Sequence, residues 1–147
     1  MSAPIHPGDK ISAAGIARII SKLRNCSLPK EEWTHGAHLC AGVGILHEVG
    51  IIASESEMPL IIRAYNEAIG GVNSDQEGYH HTITLFYLRI INKYFSNRWK
   101  QDVAALASEL LTSPMADRTY PLQFYSKDRL FSIDARHNWV RPDLQDL

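Results

Sequence analysis

The sequence predicts an all-α protein, a single-domain bundle of about five helices that ends in an irregular, aromatic-rich C-terminal segment. Three observations support this fold class. Apolar residues recur at helical spacing over most of residues 12–112. Glycine or proline stands near the points where these runs stop, and no segment shows the strict apolar–polar alternation of a half-buried strand. With 147 residues, 45% of them hydrophobic, the chain can bury a core of its own, so residues 1–147 are predicted to form one domain.

The chain begins with an irregular arm and two helices. Prolines and a glycine predict no regular structure over residues 1–11. Ser12 stands just before a run of apolar residues at helical spacing, which predicts a first helix that ends near Leu23 and is capped by the serine hydroxyl. A second helix is predicted over residues 29–49. Proline suits its first turn, and Gly50 suits its C-terminal stop.

Three more helices and a C-terminal wrap complete the prediction. The third helix is predicted from about residue 55 to 69, with Pro59 compatible only with its first turn. The fourth is predicted over residues 79–95 and the fifth over residues 102–112, each from its apolar spacing. Residues 114–147 have weak periodicity and several aromatic residues, and we expect them to cover the bundle. Within them, two short helices are predicted at residues 126–131 and 132–139.

Composition and charge argue against several classes of partner. The formal net charge is −1, with lysine and arginine spread along the chain, so no basic surface for nucleic acid or anionic lipid is expected. The N-terminus lacks the features of a signal peptide, and no run is expected to supply the roughly 18 apolar residues of a membrane-spanning helix. Neither cysteine, Cys26 or Cys40, belongs to a CxxC pair. We therefore expect a cytoplasmic protein with reduced thiols.

Histidines are concentrated at two predicted helix starts. His35 and His38 are three residues apart, so their side chains share one face of the second helix, with Cβ atoms roughly 5–6 Å apart. His80 lies in the first turn of the fourth helix. If these helices are neighbours, the three side chains are candidate ligands for a divalent metal such as Zn, Fe or Ni, with one coordination position open to water. His47 falls on the opposite face from His38 and is a poor partner.

Two other interpretations of the same histidines stay open. The HxxH pattern is short, no carboxylate shares its face, and polar residues at helix starts often only satisfy backbone groups. A metal-dependent enzyme therefore competes with a non-catalytic domain that binds a small molecule. It also competes with a structural or interaction protein, including a homodimer formed through the aromatic tail. No residue is assigned a catalytic role at this stage, and whether the protein is an enzyme is left open.

Neighbouring aromatic and polar residues are candidates for lining a ligand pocket beside the histidines. The second helix is also rich in small residues, including Gly36, Gly42 and Gly44. Because glycine inside a helix costs up to about 1 kcal/mol relative to alanine, these positions need a compensating role. We expect close packing between helices rather than space for a ligand. The candidate pocket residues are Trp33, Thr34, Tyr65, Asn66, Tyr79 and Thr84.

Four short motifs occur in a distinctive order along the chain. They read W-T-H-G-A-H-L at residues 33–39, Y-N at 65–66, G-Y-H-H-T-I-T at 78–84 and L-F-S at 130–132. In this order they resemble a family of small bacterial proteins of uncharacterised function, over most of the chain from residue 28 to 143. The resemblance implies a common centre at His35, His38 and His80, and it implies no particular activity. His81 stands where the family pattern has glutamate, which argues against catalysis by a carboxylate at that position.

Overall fold

The structure is a computed structural model that describes residues 4–147. Within this range the regular structure is helical and no β-strand occurs, which confirms the predicted all-α class. The predicted N-terminal arm contains no helix from residue 4 onward, and its first three residues lie outside the described part of the chain. The α-helices are α1 (Ala13–Arg24), α2 (His35–Ala68), α3 (His81–Phe95), α4 (Val103–Leu111), α5 (Lys127–Leu130) and α6 (Ile133–His137). Short 3-10 helices lie at Lys30–Glu32, Pro114–Ala116 and Tyr120–Gln123.

Helix α2 folds back on itself at Gly50. This residue has φ 81° and ψ 175°, a backbone conformation that glycine adopts far more easily than other residues. As a result, the rings of Trp33 and Tyr65 lie only 5.9 Å apart between centroids. In a straight helix of this length the two ends would be about 50 Å apart. The predicted stop at Gly50 is confirmed, and α2 consists of two antiparallel halves, residues 35–49 and 51–68.

Two predicted helix starts are corrected by the structure. Pro29 has an extended backbone and precedes a 3-10 turn, so the second helix begins only after Thr34, whose hydroxyl accepts a hydrogen bond from the Ala37 amide. The helix predicted from residue 55 begins directly after Gly50 instead. Pro59 therefore lies inside a helix, where its lack of an N–H removes one intrahelical hydrogen bond.

The small residues of α2 allow close packing at two positions, as expected. A Cβ atom added to Gly44 would lie 2.6 Å from both Ile16 Cγ2 and Ile20 Cδ1 of α1. A Cβ atom added to Gly36 would lie 2.6 Å from the carbonyl oxygen of Ile5 in the N-terminal arm. Glycine is therefore required where α1 and the arm cross the first half of α2.

The C-terminal segment from residue 114 onward wraps around α3. The Tyr125 side chain is fully buried, and its hydroxyl donates a hydrogen bond to the Val140 carbonyl at 2.7 Å. The Thr82 hydroxyl of α3 donates to the Asn138 carbonyl at 2.6 Å. The first contact joins two parts of the C-terminal segment, and the second attaches the segment to α3.

By length and composition, α2 is the one helix in the described part of the chain that could cross a membrane, which the sequence did not lead us to expect. The fold-back at Gly50 divides this helix into two shorter ones. Its halves, residues 35–49 and 51–68, are about 22 Å and about 27 Å long, shorter than the roughly 30 Å hydrocarbon layer of a bilayer. Much of the first half is buried within the protein, so its apolar composition is that of a core helix.

Candidate functional site

A pocket of about 750 Å³ lies between the two halves of α2, helix α3 and the C-terminal wrap. This volume is within the range of roughly 300–1,000 Å³ that small-molecule sites occupy. The fold-back at Gly50 creates the pocket, because it brings Met58 and Ile62 of the second half opposite Leu39 of the first. The rest of its apolar lining comes from Trp33, Ile83, Tyr87, Leu88, Ile91, Pro121, Leu122, Leu130 and Phe131.

Gly42 lines this pocket and differs from the two glycines used for packing. A Cβ atom added to Gly42 would meet only Ile91 Cδ1, at an ordinary contact distance of 3.5 Å. Gly42 follows His35 and His38 on the same helix face, and all three line the pocket. At this one position the small side chain therefore leaves space in the pocket.

His38 presents an unprotonated nitrogen to the pocket. Its Nδ1 lies 2.7 Å from the Thr34 carbonyl oxygen, and because a carbonyl only accepts hydrogen bonds, Nδ1 carries the ring proton. Nε2 then keeps its lone pair. The ring stacks on Trp33 with centroids 3.6 Å apart, which holds its orientation. The residue lines the pocket, and part of its surface is accessible.

The imidazole of His38 is neutral at physiological pH. Desolvation by the surrounding protein lowers its pKa to about 4, and the nearby His35 and Arg118 lower it further. The hydrogen bond to Thr34 acts in the opposite direction and does not offset the desolvation. His38 therefore offers the pocket a neutral hydrogen-bond acceptor rather than a positive charge.

His35 fixes one wall of the pocket. Its Nε2 donates a hydrogen bond to the Met115 carbonyl oxygen at 3.0 Å, which ties the start of α2 to the 3-10 helix at residues 114–116. Its ring packs edge-on against Tyr87, with centroids 5.4 Å apart. Desolvation lowers the pKa of His35 as well. The segment that it anchors continues into Arg118 and the loop that closes this side of the pocket.

His80 fixes the opposite wall and does not line the pocket. As the N-cap of α3, its Nδ1 accepts a hydrogen bond from the Ile83 amide at 3.2 Å. Its Nε2 donates to the Leu130 carbonyl oxygen at 2.8 Å. Both ring nitrogens are thus occupied, and no lone pair is free for a metal ion.

The structure does not bring the three predicted histidine ligands together in the pocket. His35 and His38 line the pocket, whereas His80 acts behind its wall. Over residues 4–147, no three histidine, cysteine, aspartate or glutamate side chains are grouped so that they could hold a metal ion. His47, which helical phase excluded, is exposed.

The other predicted pocket residues divide into two groups. Tyr65 is buried behind Trp33, and its hydroxyl donates to the Leu28 carbonyl at 2.8 Å. Asn66 donates to the side chain of Asn73 at 2.7 Å, and Tyr79 bonds to the His81 ring at 2.8 Å. Tyr65 thus ties the second half of α2 to the segment before the first half, and Asn66 and Tyr79 hold the 65–81 region together. None of the three lines the pocket. The predicted residues that do line it are Trp33, Thr34 and Thr84.

Sequence reasoning gave no role to two polar residues of the pocket. The hydroxyl oxygen of Tyr87 is buried and has no hydrogen-bond partner among the described residues. Arg118 is exposed at the pocket and forms no ion pair within residues 4–147. Tyr87 was within reach of prediction, since it follows His80 at a helical spacing of seven residues. Arg118 lies in an irregular segment where no periodicity points to it.

Most other polar side chains of the pocket are already paired within the protein. The hydroxyls of Thr34, Thr84 and Thr119 donate to the Ile5 carbonyl, the His80 carbonyl and the Asp117 carboxylate. The groups left for a ligand include the Arg118 guanidinium, the Tyr87 hydroxyl and the lone pair of His38 Nε2. Among the described residues that line the pocket, none is acidic. Fold and pocket together define a small all-helical domain with an apolar cavity and a few unpaired polar groups.

Comparisons of this chain with protein-family models, with curated proteins and with solved structures each find no match. The resemblance to small bacterial proteins therefore stays a prediction.

Proposed function

We propose that this protein is a small-molecule-binding domain whose ligand is largely apolar and occupies the pocket between the halves of α2, helix α3 and residues 118–131. The observation that carries the proposal is the pocket itself, with a volume of about 750 Å³ and mostly apolar walls. A concave, apolar site with a few convergent polar groups is the usual form of a ligand site.

The Tyr87 hydroxyl supports a binding role over a purely structural one. A buried polar group without a partner costs about 1–3 kcal/mol. In this protein the unpartnered oxygen belongs to a side chain that lines the pocket. A ligand that accepts a hydrogen bond from Tyr87 removes this cost on binding. Phe131 adds to the argument, because a large apolar side chain that is 60% exposed lines the same pocket.

Binding is favoured over general-base catalysis by His38. The ring is well oriented for a base, since Nδ1 is held by Thr34 and the ring stacks on Trp33. A pKa of about 4, however, makes Nε2 a weak base at neutral pH. A neutral acceptor that binds a ligand hydroxyl or N–H fits these properties better.

Binding of a neutral fluorescent probe tests the proposal. N-phenyl-1-naphthylamine is uncharged and fluoresces strongly in apolar sites, so we expect saturable binding to the wild-type protein. Gly42→Phe should abolish this binding, because the new ring would occupy the pocket. Ile62→Trp is a second blocking variant from the opposite wall, in case Gly42→Phe does not fold. Leu60→Phe is the matched control, since Leu60 is 67% exposed and lies outside the pocket.

Probe binding to the wild type and to the three variants decides whether the pocket is a ligand site. Saturable binding to the wild type and to Leu60→Phe, with loss in a folded blocking variant, supports it. Absence of probe binding to the wild type, or equal binding to folded blocking variants, contradicts it. Circular dichroism and thermal melting establish that each variant is folded.

A further inference from the structure

Arg118 gives the pocket a positive charge that forms no ion pair within residues 4–147. Four other arginines of the described chain form ion pairs with glutamates. Arg118 forms none, and it lines the pocket. The adjacent Asp117 forms no ion pair with Arg118, and its Oδ1 accepts hydrogen bonds at 2.8 Å from both the amide and the hydroxyl of Thr119.

The Tyr87 hydroxyl supplies a second donor at the same end of the pocket. The Tyr87 ring packs against His35 with centroids 5.4 Å apart, and His35 is bonded to Met115, three residues before Arg118. Desolvation raises the pKa of Tyr87, and the hydroxyl stays protonated at neutral pH. The oxygen is buried and has no partner in the described part of the protein, so its hydrogen bond is left to a ligand group that reaches it.

The rest of the pocket sets the charge and shape of the matching ligand. One guanidinium without an ion-pair partner, with no acidic residue among the described residues that line the pocket, balances one negative charge and is a poor match for a dianion. Guanidinium donors fit the planar oxygen pair of a carboxylate. Beyond Arg118 and Tyr87, the walls formed by Leu39, Met58 and Ile62 are apolar.

We propose that the ligand is an apolar monocarboxylate, a hydrocarbon or aromatic body with a single carboxylate bound by Arg118 and the Tyr87 hydroxyl. This inference rests on the proposed binding function and specifies the chemistry of its ligand. The neutral Nε2 of His38 cannot donate to the carboxylate, so it faces the body of the ligand and accepts a hydrogen bond where that body carries a hydroxyl or an N–H.

Three probes of equal chain length test the inference. Decanoate, 1-decanol and decylamine, each used as a monomer in solution, are allowed to displace N-phenyl-1-naphthylamine at pH 7.5. We expect decanoate to bind at least about tenfold more tightly than 1-decanol, the usual advantage of a hydrogen bond to a charged group. Arg118→Gln should reduce this preference to within about twofold, and Arg118→Glu should shift it to decylamine. Tyr87→Phe should weaken decanoate binding more than 1-decanol binding, because a hydrogen bond to a charged acceptor is the stronger of the two.

A matched control and the contrary outcomes complete the test. Arg141→Gln removes another exposed arginine that lies outside the pocket, and it should keep the preference of the wild type. If the fluorescent probe and 1-decanol bind while decanoate has no advantage, or if Arg118→Gln keeps the advantage, the carboxylate inference is refuted and the binding function stands. If the fluorescent probe and all three C10 compounds fail to bind, both fail.

Discussion

The packing of α2 predicts that the same substitution at two nearby glycines has opposite effects on stability. Replacing glycine by alanine inside a helix stabilises it by about 0.5–1 kcal/mol. At Gly42 the added methyl group makes only an ordinary contact of 3.5 Å with Ile91 Cδ1. Gly42→Ala should therefore raise the melting temperature by about 1–4 °C for a chain of this size.

At Gly44 the added methyl group would lie 2.6 Å from methyl groups of Ile16 and Ile20. Both isoleucines are buried, at 2% and 7% exposure, and Cγ2 of Ile16 is attached directly to Cβ, so it moves only with its rotamer or its backbone. Overpacking of this kind costs about 1–3 kcal/mol. Because the helix-propensity gain is the same at both positions, it cancels in the comparison. Gly44→Ala should be less stable than Gly42→Ala by about 1–3 kcal/mol.

Urea denaturation of the wild type and both alanine variants at pH 7.5 measures this difference. Equal stability of the two variants would show that α1 does not cross α2 at Gly44. A destabilising Gly42→Ala would show that this side of the helix faces a packed core instead of a pocket. Either result would refute the reasoning.

Three further predictions concern the histidines and the fold-back. His80→Ala removes the N-cap of α3 and leaves the Leu130 carbonyl unpaired, so we expect a loss of about 2–4 kcal/mol; His80→Asn, which can still cap, should recover part of it in the same denaturation assay. Gly50→Ala should cost about 1–3 kcal/mol, since φ is 81° there, and unchanged stability would contradict the fold-back conformation. The folded-state pKa of His38 lies below its unfolded value, so the unfolded chain binds more protons and stability should fall as pH decreases from about 6.5 towards 4. Burial also lowers the pKa of His35 and His80, so His38→Phe should reduce the dependence of stability on pH without removing it. An unchanged dependence of stability on pH would contradict the lowered pKa of His38.

Helical phase predicted the part of the site that lies on regular helices. The three-residue spacing of His35 and His38 placed both on one face, and that face lines the pocket. Gly50 was expected to end a helix, and its conformation turns α2 back on itself. These inferences depend only on local geometry, which a single sequence contains.

The role of each histidine depends on contacts that are distant in sequence. Whether His80 faces a ligand or caps a helix is decided by the Leu130 carbonyl, 50 residues further along the chain. In the same way, His35 is held by Met115, 80 residues away. Arg118 lies in a segment without periodicity, so its position beside His38 follows only from the path of the C-terminal wrap. Spacing predicted which face these residues share, and the tertiary fold determined what each one binds.

Methyl NMR during a titration with decanoate is the most direct test of the pocket as a ligand site. We expect saturable shifts of the methyl signals of Met58, Ile62 and Ile91, all of which line the pocket. Ile52, which is 86% exposed and lies outside the pocket, should be unaffected. Shifts at Ile52 without shifts at the three pocket residues, or no saturable shifts at all, would contradict the account.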